Sequence, residues 1–356
     1  MLRPVHLDPA LIGQPLPWDV YTSAGVLVAG AGLVLADEAH YNRLAARDLF
    51  RRGEGGEAAA TPIGRLVALA KQAEAVLEDP KQTAILELAR GLLALLRADA
   101  DACLGYAGLV PLARPSVEHA VRVLFIAGLL AEQLDFSAPE QESLAAAALT
   151  MNIAGLKLHD RLHALAGQVP AADRAALRGH PQAGAELLAR AGVTDPAWLE
   201  AVRQHHENMD GSGYPAGLSG GMISLAARLL RVADFYCAKI SGRYYRPPKS
   251  ASLAFQDLFG RDKALLDSQI ATQLLRRMGI YPPGTLVRLA SRETACVARR
   301  GQGGMARWAV AVLDARERPL DPPQARDLGA RNHAIIGTAE RRADWPTINW
   351  MAVWGY

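Results

Sequence analysis

Residues 205–237 read HHENMDGSGYPAGLSGGMISLAARLLRVADFYC, and they give the clearest indication of the fold. Two adjacent histidines, His205 and His206, precede a glycine-rich loop, and the loop leads into a segment of helical period that carries Asp234. Asp234 falls on an otherwise apolar face of that predicted helix. A buried carboxylate needs a partner, and a metal ion is the simplest one. The stretch therefore predicts a metal site that is built from two helices and the loop between them.

The segment before the loop predicts how the two histidines are presented. Asp195 is a good N-cap and Pro196 suits the first helical position, so we expect a helix over 196–207. His205 then lies on the face that the helix buries, and His206 is turned by about 100° from it toward the same cavity. Two such histidines can serve two neighbouring metal ions. For an isolated HHE motif, the alternative is a surface pair that the helix dipole favours.

Length and composition limit the class of protein. The chain has 356 residues, enough for two or three domains, and half of them are hydrophobic while 21% are charged. This balance indicates a globular protein and excludes a fibrous or mainly disordered one. Thirty-nine Lys and Arg residues face thirty-six Asp and Glu residues without a basic tract. The sequence therefore predicts no binding to duplex nucleic acid, while small anionic ligands remain open.

The cysteines and the apolar runs predict the compartment. Cys103, Cys237 and Cys296 are far apart and odd in number, which suits neither a disulfide framework nor a thiolate metal site. The N-terminus lacks the apolar core of a signal peptide. The longest apolar run, 144–156, is interrupted by polar residues and is too short to span a bilayer. We expect a cytoplasmic protein without a membrane span.

Changes in hydrophobic period predict the domain organisation. Short runs with strand propensity come first, a charged glycine-rich linker follows, and a long region of helical period then continues until alternating runs return near the C-terminus. We expect a mainly α protein with small β-containing domains at both termini. The predicted divisions are a small N-terminal β-containing domain with its linker at 1–60, connecting helices at 61–110, the main helical domain at 111–280 and a small β-rich domain at 281–356.

The loop between the histidines and Asp234 completes a specific signature. Gly211 and Gly213 permit turn conformations that are closed to other residues, and Tyr214-Pro215 stiffens what we expect to be an exposed loop. The order His-His-Glu, Asp-Gly-x-Gly-Tyr-Pro, and Val-Ala-Asp closely resembles the signature of the HD-GYP family. The resemblance implies an all-helical HD fold and a cyclic di-GMP phosphodiesterase with two or three metals. It also implies that a loop containing Asp210, Gly211, Gly213, Tyr214 and Pro215 borders the site and contacts diguanylate cyclase domains.

The resemblance continues upstream and implies the ligands of a divalent metal such as Fe or Mn. Glu118-His119 precedes a predicted helix over 120–134 and matches the first ligand histidine of the family. The residues that share one face there are His119, Val123, Ile126 and Leu130. His180-Pro181 matches the isolated histidine, and we expect it to open a helix with proline at the first position. Either residue alone is more often a core or cap histidine. The full set of implied metal ligands is His119, His180, His205, His206 and Asp234.

The resemblance also implies residues that bind the substrate. One is Arg228 in the helix of Asp234, and the others lie in the basic, aromatic segment RYYRPPK at 243–249. Tyrosine or arginine planes there could stack on guanine, and the cations could contact phosphate. A solvated loop between helices is the alternative for this segment. The substrate-binding residues implied in the segment are Tyr245, Arg246 and Lys249.

The segment at 151–155 departs from the family. Where the family has its His-Asp pair followed by Ile-Gly-Lys, this chain reads MNIAG at 151–155. Met151 offers a thioether, Asn152 a neutral amide and Gly155 no side chain, so ligation of Mn, Fe or Mg is weakened in donor type and in charge. We expect at most one tightly held divalent ion, with none as the alternative.

Three further residues are interpreted as structural. His159-Asp160 is a literal His-Asp dipeptide, but it comes eight residues later, which is about 12 Å of helix. We interpret it as a helix cap or a solvated loop rather than as the ligand pair. Cys237 stands where the family often has a second aspartate, and we interpret it as a small residue that fills a helix contact.

These features lead to one functional prediction and two alternatives. We expect a cyclic di-GMP signalling protein of the HD-GYP family with impaired or absent hydrolysis, which acts by sensing nucleotide or metal or through protein contacts. The first alternative is an active metal-dependent cyclic di-GMP phosphodiesterase. The second is an interaction scaffold that binds neither metal nor nucleotide.

Overall fold

The computed structural model divides the chain into two compact units, Met1–Gly64 and Arg65–Tyr356. The predicted segment at 243–248 and much of the predicted linker fall outside the described residues. The structure describes residues 2–4, 11–14, 16, 20–22, 27–30, 33–45, 49–52, 61–165, 167–242, 249–342, 345 and 348–356.

The first unit is a small sheet with one helix in the part that is described. The strands pair in the order β1-β4-β2-β3, and every pairing is antiparallel. Leu16, Val20, Leu35 and Leu49 are buried together between the sheet and the helix segment, which gives the unit its own core. Its elements are β1 (Leu2–Pro4), β2 (Val20–Tyr21), β3 (Leu27–Ala29), α1 (Glu38–Ala45) and β4 (Phe50–Arg52).

The second unit begins with helices that run in close succession. Within the described residues, none of them has the length and hydropathy that a membrane span requires. The helices are α2 (Pro62–Glu78), α3 (Gln82–Ala98), α4 (Ala100–Leu109), α5 (Pro115–Gln133), α6 (Ala138–Thr150), α7 (Leu156–His163), α8 (Ala171–Arg190), α9 (Pro196–Gln204), α10 (Leu225–Ile240), α11 (Ala251–Phe259) and α12 (Ser268–Met278).

Helix α5 is the centre of this unit. Pro115 occupies its first turn, where a missing N–H costs nothing, and buried residues cover most of the helix surface. The predicted start at residue 120 is wrong, because the helix begins at Pro115 and includes His119. The predicted shared face is buried, since His119, Val123, Ile126 and Leu130 are each at most 6% exposed. A helix that is apolar nearly all round is surrounded by other elements. His119 is therefore held inside the helical core.

An antiparallel sheet follows the helices. Its strands pair in the order β8-β7-β6-β5-β9 within the described chain, and Val287, Val297 and Ala309 lie in its core. The mainly α prediction with β structure at both ends is confirmed, while the predicted domain boundaries stay predictions. The strands are β5 (Leu286–Leu289), β6 (Thr294–Arg300), β7 (Ala306–Leu313), β8 (Pro319–Asp327) and β9 (Ile335–Thr338).

Two glycines let the start of the sheet approach α4. Gly284 has a φ of +87°, and a side chain on it would collide with the backbone of Gly105. A side chain on Gly105 would collide in turn with the ring of Trp354, which is buried in the last turn of the chain. The connection between helices and sheet is therefore a close backbone contact that only glycine permits.

Asp160 caps a neighbouring helix. It lies in α7, and its carboxylate accepts hydrogen bonds from the backbone N–H of Ser116 at 2.8 Å and from the Ser116 hydroxyl at 2.9 Å. Ser116 is in the first turn of α5, where backbone N–H groups lack partners within the helix. The interpretation of Asp160 as a helix cap is therefore confirmed.

We expect Asp160→Ala to lower the free energy of unfolding by about 1–2 kcal/mol, because it removes the acceptor at the start of α5. Asp160→Asn keeps one acceptor oxygen and is the matched control, with a smaller loss. Urea unfolding followed by circular dichroism measures both variants. Equal stability of Asp160→Ala and the parent chain would contradict the capping role.

Candidate metal centre

Helix α9 delivers the adjacent histidines at its C-terminal end. The Asp195 carboxylate accepts from the N–H groups of Ala197 and Trp198, so the predicted start of the helix is confirmed. The predicted end at 207 is wrong, because the helix ends at Gln204. The N–H of Glu207 bonds to the carbonyl of Gln204, three residues back, and this tightened turn ends the α-helix. His205 and His206 therefore project from a turn.

His180 lies in the middle of a helix rather than at its start. The predicted helix start at His180-Pro181 is wrong, because α8 begins at Ala171 and Pro181 lies inside it. Pro181 has no N–H, so the carbonyl of Leu177 lacks its usual helical donor. Nδ1 of His180 lies 2.7 Å from that carbonyl oxygen and takes the place of the missing donor. The proline thus fixes the orientation of the His180 ring.

His205 is oriented in the same way. Its Nδ1 lies 2.6 Å from the carbonyl oxygen of Val202. A carbonyl oxygen only accepts, so Nδ1 carries the proton in both rings and each Nε2 has a free lone pair. The two Nε2 atoms of His180 and His205 face each other at 3.1 Å.

His206 completes a group of three imidazoles. Its ring centroid lies 5.0 Å from that of His180 and 4.2 Å from that of His205. One nitrogen from each of the three rings lies within 4.8 Å of the other two, which is close enough for all three to ligate one ion. Among the predicted ligands, the structure therefore brings His180, His205 and His206 together as one cluster.

His119 and Asp234 form the other half of the site. Nε2 of His119 lies 2.8 Å from a carboxylate oxygen of Asp234, and Nδ1 of His206 lies 3.9 Å from the other oxygen. Arg231, one turn earlier in α10, lies 3.8 Å from the same carboxylate. All five predicted ligands thus belong to one chain of contacts that joins α5, α8, α9 and α10.

Burial and charge set the protonation of these groups. Burial would raise the pKa of Asp234, but the hydrogen bond from His119 and the positive charges nearby hold that pKa well below its usual range. Burial lowers the pKa of His180, and burial together with His180 lowers the pKa of His205 to about 3. The pKa of His206 is also lowered by burial. The three clustered histidines are therefore neutral imidazoles, and Asp234 is an ionised carboxylate.

This donor set fits a divalent cation. Two Nε2 lone pairs at 3.1 Å repel each other, and the low pKa of His205 disfavours a proton that would relieve the repulsion. Neutral imidazoles and carboxylate oxygens are ligands that first-row metals such as Fe and Mn accept. His180, His205 and His206 would hold such an ion, and Asp234 would supply negative charge beside it.

Glu207 anchors the glycine-rich loop, a role that the sequence reasoning missed. Its carboxylate is buried and accepts from the N–H groups of Ala216 at 2.7 Å and Leu218 at 3.0 Å. Gly213 allows the loop to fold back, because a side chain there would collide with the backbone of Glu207 and Asn208. The available signal was the position of Glu207 directly after the two histidines, because a carboxylate that is buried there needs hydrogen-bond donors.

The tyrosine of the loop packs on the histidine cluster. The expectation of an exposed Tyr214 is wrong, because its ring is half-buried and lies 4.8 Å from the ring of His206. The guanidinium of Arg178 lies 6.0 Å from the same tyrosine ring. Pro215 is exposed, and Asp210 is an exposed residue that accepts from the Ser212 N–H at 2.9 Å within its own turn. Tyr214 therefore connects the loop to the candidate metal ligands.

The divergent positions lie next to the cluster. Met151 is fully buried at the end of α6, and the preceding Thr150 accepts a 2.8 Å hydrogen bond from the indole of Trp198 in α9. A side chain on Gly155 would be in ordinary contact with His180, at 3.6 Å. His159 also lies nearby, with its ring 5.3 Å from that of His119. The prediction that His159 is not a ligand stays a prediction.

The predicted substrate-binding residues fall into two groups. Tyr245 and Arg246 lie outside the described residues. Arg228 donates to Asp267 at 2.9 Å, which ties α10 to the N-cap of α12, and Lys249 donates to Asp257 at 2.5 Å. Their contacts with substrate stay predictions.

Comparison with known proteins places this geometry in a family. Residues 111–270 match the family model described as the HD domain. This region is an HD domain. Over 239 residues the chain is 30% identical to the cyclic di-GMP phosphodiesterase PA4108 of Pseudomonas aeruginosa, covering 66% of this chain and 57% of that protein. Over 157 residues it is 34% identical to the cyclic di-GMP phosphodiesterase response regulator RpfG of Xanthomonas campestris, covering 44% and 41%.

The chain thus spans about half the length of these two curated relatives. A solved structure also shares the fold of the HD domain and its surroundings. The HDG"Y"P protein Bd1817 of Bdellovibrio bacteriovorus aligns with a TM-score of 0.50 at 18% identity, over 77% of this chain and 98% of that one. The HD domain, its helical fold and its cyclic di-GMP phosphodiesterase homologues agree with the resemblance read from the sequence.

We expect Pro181→Ala to weaken Mn²⁺ binding by about tenfold, which is the usual effect of losing a group that orients a ligand. The backbone N–H that alanine would add at this position competes for the Leu177 carbonyl, so His180 is no longer held in one orientation. The thermal midpoint should not fall, because the helix gains a hydrogen bond. Isothermal titration calorimetry with Mn²⁺ gives the affinity, and Gln182→Ala on the exposed face of α8 is the control. Unchanged Mn²⁺ affinity in Pro181→Ala would refute the orienting role.

Proposed function

We propose that this chain is a cyclic di-GMP signalling protein of the HD-GYP type that binds the nucleotide beside a single divalent cation and has impaired hydrolysis. Three observations support the proposal. The histidine cluster suits a cation, the loop signature packs on that cluster, and the named relatives act on cyclic di-GMP. The impaired hydrolysis is inferred from the balance between the negative charge of the site and the positive charge of the cations that it would hold.

Asp234 is the carboxylate whose charge acts on all three clustered histidines. It already bonds to His119 and lies near Arg231. Two divalent cations a few ångströms apart repel each other strongly, and a second carboxylate between them would normally offset that repulsion. Asn152 has no charge to contribute. The donor set therefore supports one ion rather than a two-metal centre.

The residues around the cluster suit a nucleotide with phosphate groups. A divalent cation supplies Lewis-acid polarisation of a phosphate oxygen when it is bound. The ring of Tyr214 is a stacking surface for a guanine base, and Arg178 brings positive charge close to that ring. His119 keeps Asp234 ionised and fixed in position. This chain therefore has the parts that bind and orient the substrate, while the neutral Asn152 weakens the second metal position.

The exposed part of the loop suits a protein contact. Pro215, Ala216 and Gly217 are exposed, and the buried Glu207 holds the backbone behind them. A fixed, exposed turn costs little entropy when a partner binds it. A diguanylate cyclase domain is the partner that we propose for this surface.

Restoring the missing ligands tests the proposal directly. We expect Met151→His with Asn152→Asp, and with Gly155→Lys added, to raise hydrolysis of cyclic di-GMP above that of the parent chain when Mn²⁺ or Fe²⁺ is supplied. Elemental analysis should show at most one metal ion per parent chain and two in the repaired variant, because the new carboxylate offsets the repulsion between the cations. Linear product separated by chromatography measures the turnover.

His159→Ala is the matched control and should leave any hydrolysis unchanged. If it abolishes an existing activity, the dipeptide His159-Asp160 is the ligand pair and the assignment of Met151 and Asn152 is wrong. Efficient turnover by the parent chain, with two or three bound metals, would refute the impaired site and favour the active phosphodiesterase.

A second prediction concerns Tyr214. We expect Tyr214→Ala to weaken binding of cyclic di-GMP by about tenfold through loss of base stacking, while Tyr214→Phe keeps the ring and the affinity. Calorimetry with cyclic di-GMP and a pull-down with a purified diguanylate cyclase domain are measured on the same variants. Loss of the partner alone would contradict the nucleotide role and favour the scaffold. Unfolding of Tyr214→Ala would mean that the loop is structural.

A further inference from the structure

Arg231 places a fixed positive charge beside the candidate metal centre. It lies one turn before Asp234 in α10, and its Nη1 is 3.8 Å from the carboxylate oxygen that Nδ1 of His206 approaches at 3.9 Å. The guanidinium and the His206 ring therefore face the same oxygen of Asp234. A positive charge at this place opposes a divalent cation on the histidines. Arg231 therefore needs a role other than helping to hold the cation.

The side-chain amide of Asn208 holds the guanidinium in one orientation. Nε of Arg231 donates to the Asn208 side-chain oxygen at 3.0 Å, and the Asn208 side-chain nitrogen donates to the Ser212 hydroxyl at 3.0 Å. Both ends of the amide are used, so it cannot turn over without losing both hydrogen bonds. The guanidinium is thus oriented before a ligand arrives, which lowers the entropy cost of binding.

The outer edge of the guanidinium is available to a ligand. In the part of the chain that the structure describes, Nη1 and Nη2 make no hydrogen bond, because the Asp234 oxygen at 3.8 Å is too far away. The side chains of Arg231 and His206 are each 17% exposed, so solvent reaches both. The N–H groups of a guanidinium match two oxygens of one phosphate group. This edge therefore suits a phosphate.

The carboxylates of the site do not balance Arg231 once a cation is bound. Asp234 offers one negative charge and already bonds to His119 at 2.8 Å. Glu207 is also buried, but its oxygens accept from two backbone N–H groups of the loop. The charge of Asp234 cannot offset a divalent cation and a guanidinium together. The loaded site therefore keeps an excess of positive charge, which an anionic phosphate diester offsets.

The charge of Arg231 also acts on the clustered histidines. Burial is the main cause of the low pKa of His205 and of His206, and the guanidinium contributes to both. Arg231 and His206 each lie within 4 Å of one oxygen of Asp234. A single phosphate group can therefore contact the guanidinium with one oxygen and a cation on the histidines with another.

We propose that Arg231 binds a phosphate oxygen of the ligand at this site, and that its charge weakens binding of the cation while no phosphate is present. The ligand is a phosphate diester, so the inference rests on the proposed nucleotide function. Arg231 makes the site favour a cation together with an anionic ligand over a cation alone.

Two calorimetric titrations of the full chain test the two effects separately. In the first, Mn²⁺ is added without nucleotide, and Arg231→Met should bind it about tenfold more tightly than the parent chain, because a repelling charge is gone. In the second, cyclic di-GMP is added at saturating Mn²⁺, and the same variant should bind the nucleotide about tenfold more weakly. An arginine that only supported the fold would not strengthen Mn²⁺ binding when removed.

Two further variants are the matched controls. Arg231→Lys keeps the charge and should leave the Mn²⁺ affinity near that of the parent chain. Arg190→Met removes an exposed arginine at the end of α8 and should change neither affinity. Circular dichroism checks that each variant is folded. If Arg231→Met does not fold, Arg231→Gln replaces it with the same two expectations, because the glutamine amide can still donate to Asn208.

Unchanged or weaker Mn²⁺ binding in Arg231→Met would overturn the inference, and so would an unchanged affinity for cyclic di-GMP. Failure of the parent chain to bind cyclic di-GMP would refute the proposed function instead. Inorganic phosphate then replaces the nucleotide in the second titration. Weaker phosphate binding in Arg231→Met than in the parent chain supports the role of Arg231, and equal binding overturns it.

Discussion

Asp234 is an ionised carboxylate inside a helical core, and the groups around it are arranged to satisfy its charge. His119 bonds to it across 115 positions of sequence, and this hydrogen bond joins α5 to α10. Removing one partner of such a buried pair typically costs about 3–5 kcal/mol, because the other charge is left without compensation. The same carboxylate faces His206, and through it the cluster with His180 and His205. The geometry of the candidate metal centre depends on this pair.

The sequence predicted the parts of the site that follow from local patterns. A helix period placed His119 on the buried face of α5, and the N-cap with a following proline placed the start of α9. The HD domain and the mainly helical fold agree with the signature of the loop. These features depend on residues within a few turns of one another, where spacing alone gives the direction of a side chain.

The features that were missed depend on contacts across the fold. Pro181 was expected to start a helix, yet it is tolerated inside α8 because the His180 ring supplies the donor that proline lacks. Tyr214 was expected to be exposed, but Glu207 draws the loop back so that the tyrosine packs on His206. In both cases a side chain replaces or captures a backbone hydrogen bond. The local helix and turn propensities of the residues contain no information about which distant side chain will take over a backbone hydrogen bond.

Two helices belong to both the histidine site and a cavity of about 470 Å³, which α4, α5 and α10 line together with the start of the C-terminal sheet. Helix α5 carries His119 and, farther along, Phe125, while α10 carries Asp234 and, two residues later, Tyr236. A molecule that spreads these helices at the cavity acts on the same two rigid elements that the His119 to Asp234 contact joins. Thermodynamic linkage then works in both directions. Whatever factor an occupant of the cavity imposes on affinity at the histidines, a ligand at the histidines imposes on the cavity.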